Sequence, residues 1–258
     1  MRILITNDDG VEAAQLPALI RWCRKLGEVT AVVPKFEQSG KSHSFEGKRD
    51  FEAKQVKIAE DITLWTVDST PADCVRFAVL GKGMKFDLCI SGINRGYNMG
   101  RDIMYSGTVA AASEAVNLGI PAIALSTSVP NYDHATEMLG HFAAYFFGYR
   151  LMEYHDLYNV NIPPQVRGIR ITAQGGHYFS DDFIPVGRIC TAPRASPSGW
   201  TAATIPWIPM PPSTAISPSP RCSWTGPTGR FLKSSGKWEY EFAYTDTAPG
   251  ESPGRFCE

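Results

Sequence analysis

The chain has 258 residues, 43% of them hydrophobic, and 25 basic residues against 26 acidic ones give a formal net charge of -1. That length accommodates one large domain or two small ones with a sizeable core. The charge balance argues against a nucleic-acid duplex as partner, and no apolar run approaches the roughly 18–20 residues that cross a bilayer.

Arg2-Ile3-Leu4-Ile5-Thr6-Asn7-Asp8-Asp9-Gly10 opens the chain. It reads as a short buried strand that ends in an amide, two adjacent carboxylates and a glycine. It is neither a signal nor a transit peptide, so the cytoplasm is the expected compartment and no membrane partner is expected. Residues 12–25 read as a helix, with Leu16, Leu19, Ile20 and Cys23 at helical spacing. Val29–Val33 is a second strand, halted by Pro34, and residues 34–50 read as a polar loop. Ile62–Val67 is a further strand. Thr70-Pro71-Ala72-Asp73 then opens a helix, with Thr at the N-cap and Pro at the first helical position. Phe86–Ser91 is a buried strand that enters a loop rich in Gly and Asn over 92–107. A helix of small residues follows from Thr108 to Asn117, a strand over Pro121–Ser126, a helix over roughly 133–153, and strands at Tyr158–Ile162 and Gly168–Thr172. Strands that alternate with helices imply parallel, right-handed βαβ units. The expected fold is therefore a doubly wound, mostly parallel, Rossmann-like α/β sheet with helices on both faces, followed by an irregular C-terminal region.

The character changes late in the chain. Nine prolines fall between Pro193 and Pro227, interleaved with Ser, Thr and Trp, and no period of 2 or 3.6 survives. Little regular structure is expected over 193–237, a strand over Trp238–Tyr244, and disorder from Ala248 to Glu258. The six cysteines form no C-x-x-C pair, and the five histidines show no H-x-x-x-H spacing. Buried reduced thiols and no histidine-based metal site are expected.

Four strand-end loops carry chemistry: Asn7-Asp8-Asp9, Gln38 to Ser44, Ser91 to Gly100, and Tyr105-Ser106-Gly107-Thr108. Taken singly, each is a turn, a cap or a solvated loop. On one edge of a parallel sheet they converge, because ligands bind outside the carboxyl ends of the strands. Adjacent carboxylates repel unless a cation sits between them, and carboxylate, hydroxyl and amide oxygens are hard donors suited to Mg²⁺ or Mn²⁺. Gly107 before Thr108 presents the start of a helix, where anions such as phosphate bind. A hard metal beside an anion cradle points to phosphate-ester chemistry.

Those segments, with Thr70-Pro71-Ala72-Asp73-Cys74-Val75, Val109-Ala110-Ala111-Ala112, Gly119 to Ser126 and Asn159-Val160-Asn161-Ile162-Pro163, resemble the SurE family of survival-protein 5′/3′-nucleotidases. The similarity is collinear from residue 1 to about 175. It implies metal-dependent hydrolysis of nucleoside monophosphates with one divalent cation, Mg²⁺ or Mn²⁺, per subunit. It implies Asp8, Asp9, Ser39 and Asn94 as metal ligands, Asp8 and Asp9 as the catalytic carboxylates, and Asn98, Ser106, Gly107 and Thr108 around the phosphate. It also implies a homo-oligomer, dimer or tetramer. Two departures stand out. Ser69 replaces the glycine that commonly precedes T-P-A-D in the family. From about residue 190 the family's subunit-contact hairpin and its glycine–aromatic strand are not found. The expected organisation is a SurE-like domain over 1–187 and an atypical Pro/Ser-rich region over 188–258, translated out of frame relative to the ancestral gene or specific to this lineage. The alternative to an active nucleotidase is an inactive metal- or phosphate-binding member of the family with a degenerate C-terminal third. A receiver domain would need an acceptor Asp at the carboxyl end of the third strand, whereas Asp87 stands at the start of its strand. A haloacid-dehalogenase-type D-x-D-x-T/V and a dinucleotide-binding G-x-G-x-x-G in the first turn are both missing.

Overall fold

A computed structural model describes residues 1–128 and 132–176 and, beyond them, only the backbone of short strands between 179 and 243. Its centre is a seven-stranded sheet built from β1 (Arg2–Thr6), β2 (Glu28–Pro34), β3 (Ala53–Ala59), β4 (Ile62–Val67), β5 (Leu88–Arg95), β6 (Ala122–Thr127) and β7 (Leu157–Ile162). The spatial order is β3-β4-β2-β1-β5-β6-β7. All neighbouring pairs are parallel except β3 with β4. From β1 the chain winds outward through β2 and β4, then returns to β5 on the other side of β1 and winds outward again. The order therefore reverses between β1 and β5, where a ligand crevice forms in open sheets.

Strand alternation sends side chains to two layers. Ile3, Ile5, Ile90, Ile123 and Leu125 pack with helices α1 (Leu16–Cys23) and α4 (Tyr132–Gly148). Leu4, Val32, Cys89, Ala122 and Ala124 face helices α2 (Pro71–Arg76) and α3 (Gly107–Asn117). On that second face Ala111, Ala112 and Ala115 of α3 meet the alanines of β6. Small residues on both sides bring α3 close to the sheet, so its first turn reaches the end of β1.

The doubly wound sheet with helices on both faces is as expected, with local differences. Strand β3 lies in a stretch given no element from sequence. Its Lys54, Gln55 and Lys57 alternate only weakly with half-buried positions, the mark of a charged edge strand. Helix α1 is shorter than 12–25, because residues 11–15 form turns before Pro17. Helix α4 stops at Gly148; Arg150 takes a left-handed conformation, and residues 151–153 form a 3₁₀ turn. The strand expected over 168–172 is two residues long. Within the expected strand 238–244, backbone pairing engages Lys237–Glu239 and Phe242–Ala243. The expected disorder from Ala248 to Glu258 lies outside the described residues. Cys23, Cys74 and Cys89 are buried free thiols, as expected.

Candidate active site

The turn after β1 is locked by Asn7, whose side chain donates to the Gly10 carbonyl at 2.9 Å and accepts from the Gly10 N–H at 3.2 Å. This brackets Asp8 and Asp9 and fixes where they project. Asp8 is only 4% exposed and accepts a 2.5 Å hydrogen bond from the Thr108 hydroxyl at the start of α3. That contact requires a bare α-carbon at Gly107, because a Cβ there would stand 2.8 Å from the Asp8 Cβ. Thr108, expected at the phosphate, thus spends its hydroxyl on Asp8. The Asp9 Oδ2 accepts from the Gln15 amide at 2.7 Å and from the Arg95 N–H at 3.2 Å.

The other two loops reach the same place. The Gln38 N–H donates to the Asp8 carbonyl at 2.7 Å, which brings Ser39 beside β1. Between Ser91 and Asn94 the β5–β6 register slips by one residue, a bulge that re-aims the strand end. Gly92 makes this possible: its φ is +135° and a Cβ would meet the Leu125 carbonyl oxygen at 2.3 Å. Beyond the bulge, the Asn94 amide nitrogen donates to the Gly96 carbonyl at 2.9 Å.

The free valences suit a hard cation. The Ser39 hydroxyl proton goes to Glu37 at 2.7 Å, which leaves the oxygen lone pairs. Asn94 commits its nitrogen to Gly96, and its Oδ1 is the atom of the side chain suited to a hard cation. The Asp9 donors converge on Oδ2, leaving Oδ1. Burial pushes Asp8 up to about 6, with the Asp9 charge adding to it against the Thr108 hydrogen bonds. Burial also raises Asp9, opposed by Arg95 and Gln15. Among the described residues no group of three or more His, Cys, Asp or Glu is arranged to hold a metal. A cation here would rest on two carboxylates supplemented by neutral oxygens, a donor set typical of Mg²⁺ rather than of zinc.

Of the residues expected at the phosphate, Gly107 and Thr108 adjoin Asp8, and Asn98 is held by the ends of β6 and β7. Ser106 caps α3 by accepting from the Val109 N–H at 3.1 Å, and Gly107 leads the first turn. Asn98 is 8% exposed, with its amide donating to the Ser126 hydroxyl at 2.8 Å.

Three further features support the cluster. Tyr132, first residue of α4, is pushed up to about 12 by burial, with the Asp9 charge adding to it. Only its position after β6, at the carboxyl edge, hints at this. His43 meets the buried Glu114 of α3 at 2.9 Å, and Arg76 takes the other oxygen at 3.0 Å, pinning the Ser39 loop to both helices. Asp73 accepts from Ser69, Thr70 and the Glu46 N–H, so the helix-opening motif is structural, as read, and also anchors that loop. A cavity of about 660 Å³ flanks β7, with Asn98, Phe142, Tyr145 and Tyr158 in its wall; neither Asp8 nor Asp9 lines it.

The family described as Survival protein SurE matches residues 3–181. The chain belongs to the SurE family. The 5′-nucleotidase SurE of Thermosipho africanus (strain TCF52B) is 36% identical over 217 residues, covering 80% of this chain and 82% of that protein. The 5′-nucleotidase SurE of Acinetobacter baumannii (strain SDF) is 42% identical over 187 residues, 68% of this chain and 71% of its own length. The crystal structure of the SurE protein from Aquifex aeolicus superposes with a TM-score of 0.63 at 31% identity, over 79% of this chain and 86% of that one. No helix among the described residues is long and apolar enough to cross a membrane.

Proposed function

We propose that this SurE-family chain is a divalent-metal-dependent nucleotidase of the cytoplasm that hydrolyses the phosphomonoester of nucleoside 5′- or 3′-monophosphates. The observation that carries the reading is the pair of adjacent carboxylates Asp8 and Asp9. Asp8 is buried and Asp9 half-buried at the sheet's switch point, both are raised in pKa, and the loops that carry Ser39 and Asn94 are tied to them through the N–H groups of Gln38 and Arg95. These four residues would hold the cation, Mg²⁺ or Mn²⁺. Once bound, it would supply a Lewis acid for the phosphoryl oxygen and lower the pKa of a bound water.

The chain's own groups do the rest. Asp8 or Asp9 orients the water and accepts its proton, through the oxygen that Thr108 or Gln15 leaves free. Ser106 and the N–H of Gly107 face the phosphoryl oxygens at the positive end of α3. Asn98 contributes the amide hydrogen that Ser126 does not take. Thr108 keeps Asp8 in place.

Release of inorganic phosphate from 5′-AMP by purified protein tests the reading. Turnover that depends on added Mn²⁺ or Mg²⁺ and is abolished by EDTA supports it. Metal-independent turnover, or none with either ion, contradicts it.

A further inference from the structure

Two asparagines of β7 are unexplained by the core. Leu157, on the same side of the strand, packs with the α3 layer, yet the next two positions on that side are Asn159 and Asn161. Both turn to one residue of the glycine-rich loop. Asn161 accepts from the Asn98 N–H through Oδ1 at 2.9 Å and donates to the Asn98 carbonyl through Nδ2 at 2.9 Å. Asn159 donates to the same carbonyl at 2.7 Å. The Asn98 backbone belongs to no strand or helix, so these side chains replace the ladder partners it lacks. Further along the loop, the Arg101 N–H donates to the Gly176 carbonyl at 2.9 Å, and the Gln174 amide donates to the Gly100 carbonyl.

We infer that Asn161, aided by Asn159, is a positioning residue that clamps Asn98 in register with the phosphoryl group. The requirement for Asn follows from chemistry. A primary amide accepts from the N–H through one atom and donates to the C=O of the same residue through another; ionised Asp lacks the donor, Leu lacks both, a hydroxyl has one atom for the two tasks, and Gln is one methylene too long. With the backbone fixed on β7 and one amide hydrogen fixed on Ser126, the remaining amide hydrogen of Asn98 has a set direction. The inference rests on the proposed phosphate role of Asn98.

A double-mutant cycle on the full chain tests it, with affinity for inorganic phosphate in the presence of Mn²⁺ as the first readout and kcat/KM for 5′-AMP as the second. Asn98→Ala and Asn161→Leu are each expected to weaken phosphate by about tenfold, the scale of one lost hydrogen bond to a charged group. The double variant is expected to be no worse than Asn98→Ala, because the clamp acts only through Asn98. Mn²⁺ affinity is expected to stay within twofold throughout. If Asn161→Leu is insoluble, Asn159→Ala takes its place in the cycle, with a loss of about threefold. Losses that add, or full phosphate affinity in both β7 variants while Asn98→Ala is impaired, would overturn the clamp and leave the phosphate role standing. Unchanged affinity in Asn98→Ala would instead remove the phosphate role itself, and the clamp with it.

Discussion

Asp8 and Asp87 sit at opposite ends of adjacent parallel strands and have opposite electrostatic fates. At the amino edge, Asp87 accepts from the Arg2 backbone at 2.7 Å and from the Arg2 guanidinium at 3.1 Å, both groups half-exposed. Those bonds hold its carboxyl below the usual range. At the carboxyl edge, Asp8 is buried beside another acid, no Lys or Arg side chain among the described residues pairs with it, and its pKa rises to about 6. One edge closes its charges internally. At the other, two adjacent carboxylates stand raised in pKa, the pattern on which the proposed cation site rests.

The largest expected effect separates the two edges by activity. Asp9→Asn is expected to lower Mn²⁺-dependent hydrolysis of 5′-AMP by about a thousandfold or more, as loss of a metal ligand and proton acceptor implies, with an unchanged circular dichroism spectrum. Asp87→Asn is expected to stay within twofold; equal losses at both edges would erase the distinction.

Stability against pH sharpens it further. The folded pKa of Asp8 lies above its unfolded value of 3.8, so the folded state binds the extra proton. Its destabilising contribution is absent below about pH 4 and fully present above about pH 6, growing as pH rises between them. For metal-free protein this amounts to about 3 kcal/mol, from 1.36 kcal/mol per pKa unit. Asp8→Asn should flatten the fall in denaturant midpoint over that window. Asp87, with its lowered pKa, has the opposite sign: its small contribution is present above about pH 4 and lost on acidification.

Gly107→Ala forces a Cβ against Asp8 and Pro71. It is expected to cost about 1–3 kcal/mol of stability, in the range of other overpacked sites, and to weaken Mn²⁺ binding by displacing Asp8. The smallest effect belongs to the amino edge: Arg2→Ala should change stability by less than about 1 kcal/mol, as for other exposed ion pairs. Chemical denaturation measures both.

Much of the candidate site was legible because its residue types are chemically specific. Adjacent acids after a buried strand, and glycine with hydroxyls before a helix, have few structural uses together. The alternation of buried strands with helices likewise revealed the sheet and the edge at which these loops emerge. Strand β3 was not legible, since an edge strand rich in lysine carries no strong period. The roles of Gln15, Asn159 and Asn161 were hidden for another reason. Gln15, Asn159 and Asn161 meet their partners across 6 to 63 residues of sequence, and although Asn159 and Asn161 lie in a segment that resembles the family, neither that segment nor Gln15 names its partner. The division at 187 and the displaced reading frame beyond about 190 remain proposals about the gene. Reading the other two frames for a glycine–aromatic strand segment tests the second.

Anomalous diffraction from crystals soaked in Mn²⁺ tests the central claim most directly. One ion is expected in contact with oxygens of Asp8, Asp9, Ser39 and Asn94, beside the first turn of α3. Density for manganese elsewhere, or none at that cluster, would contradict it.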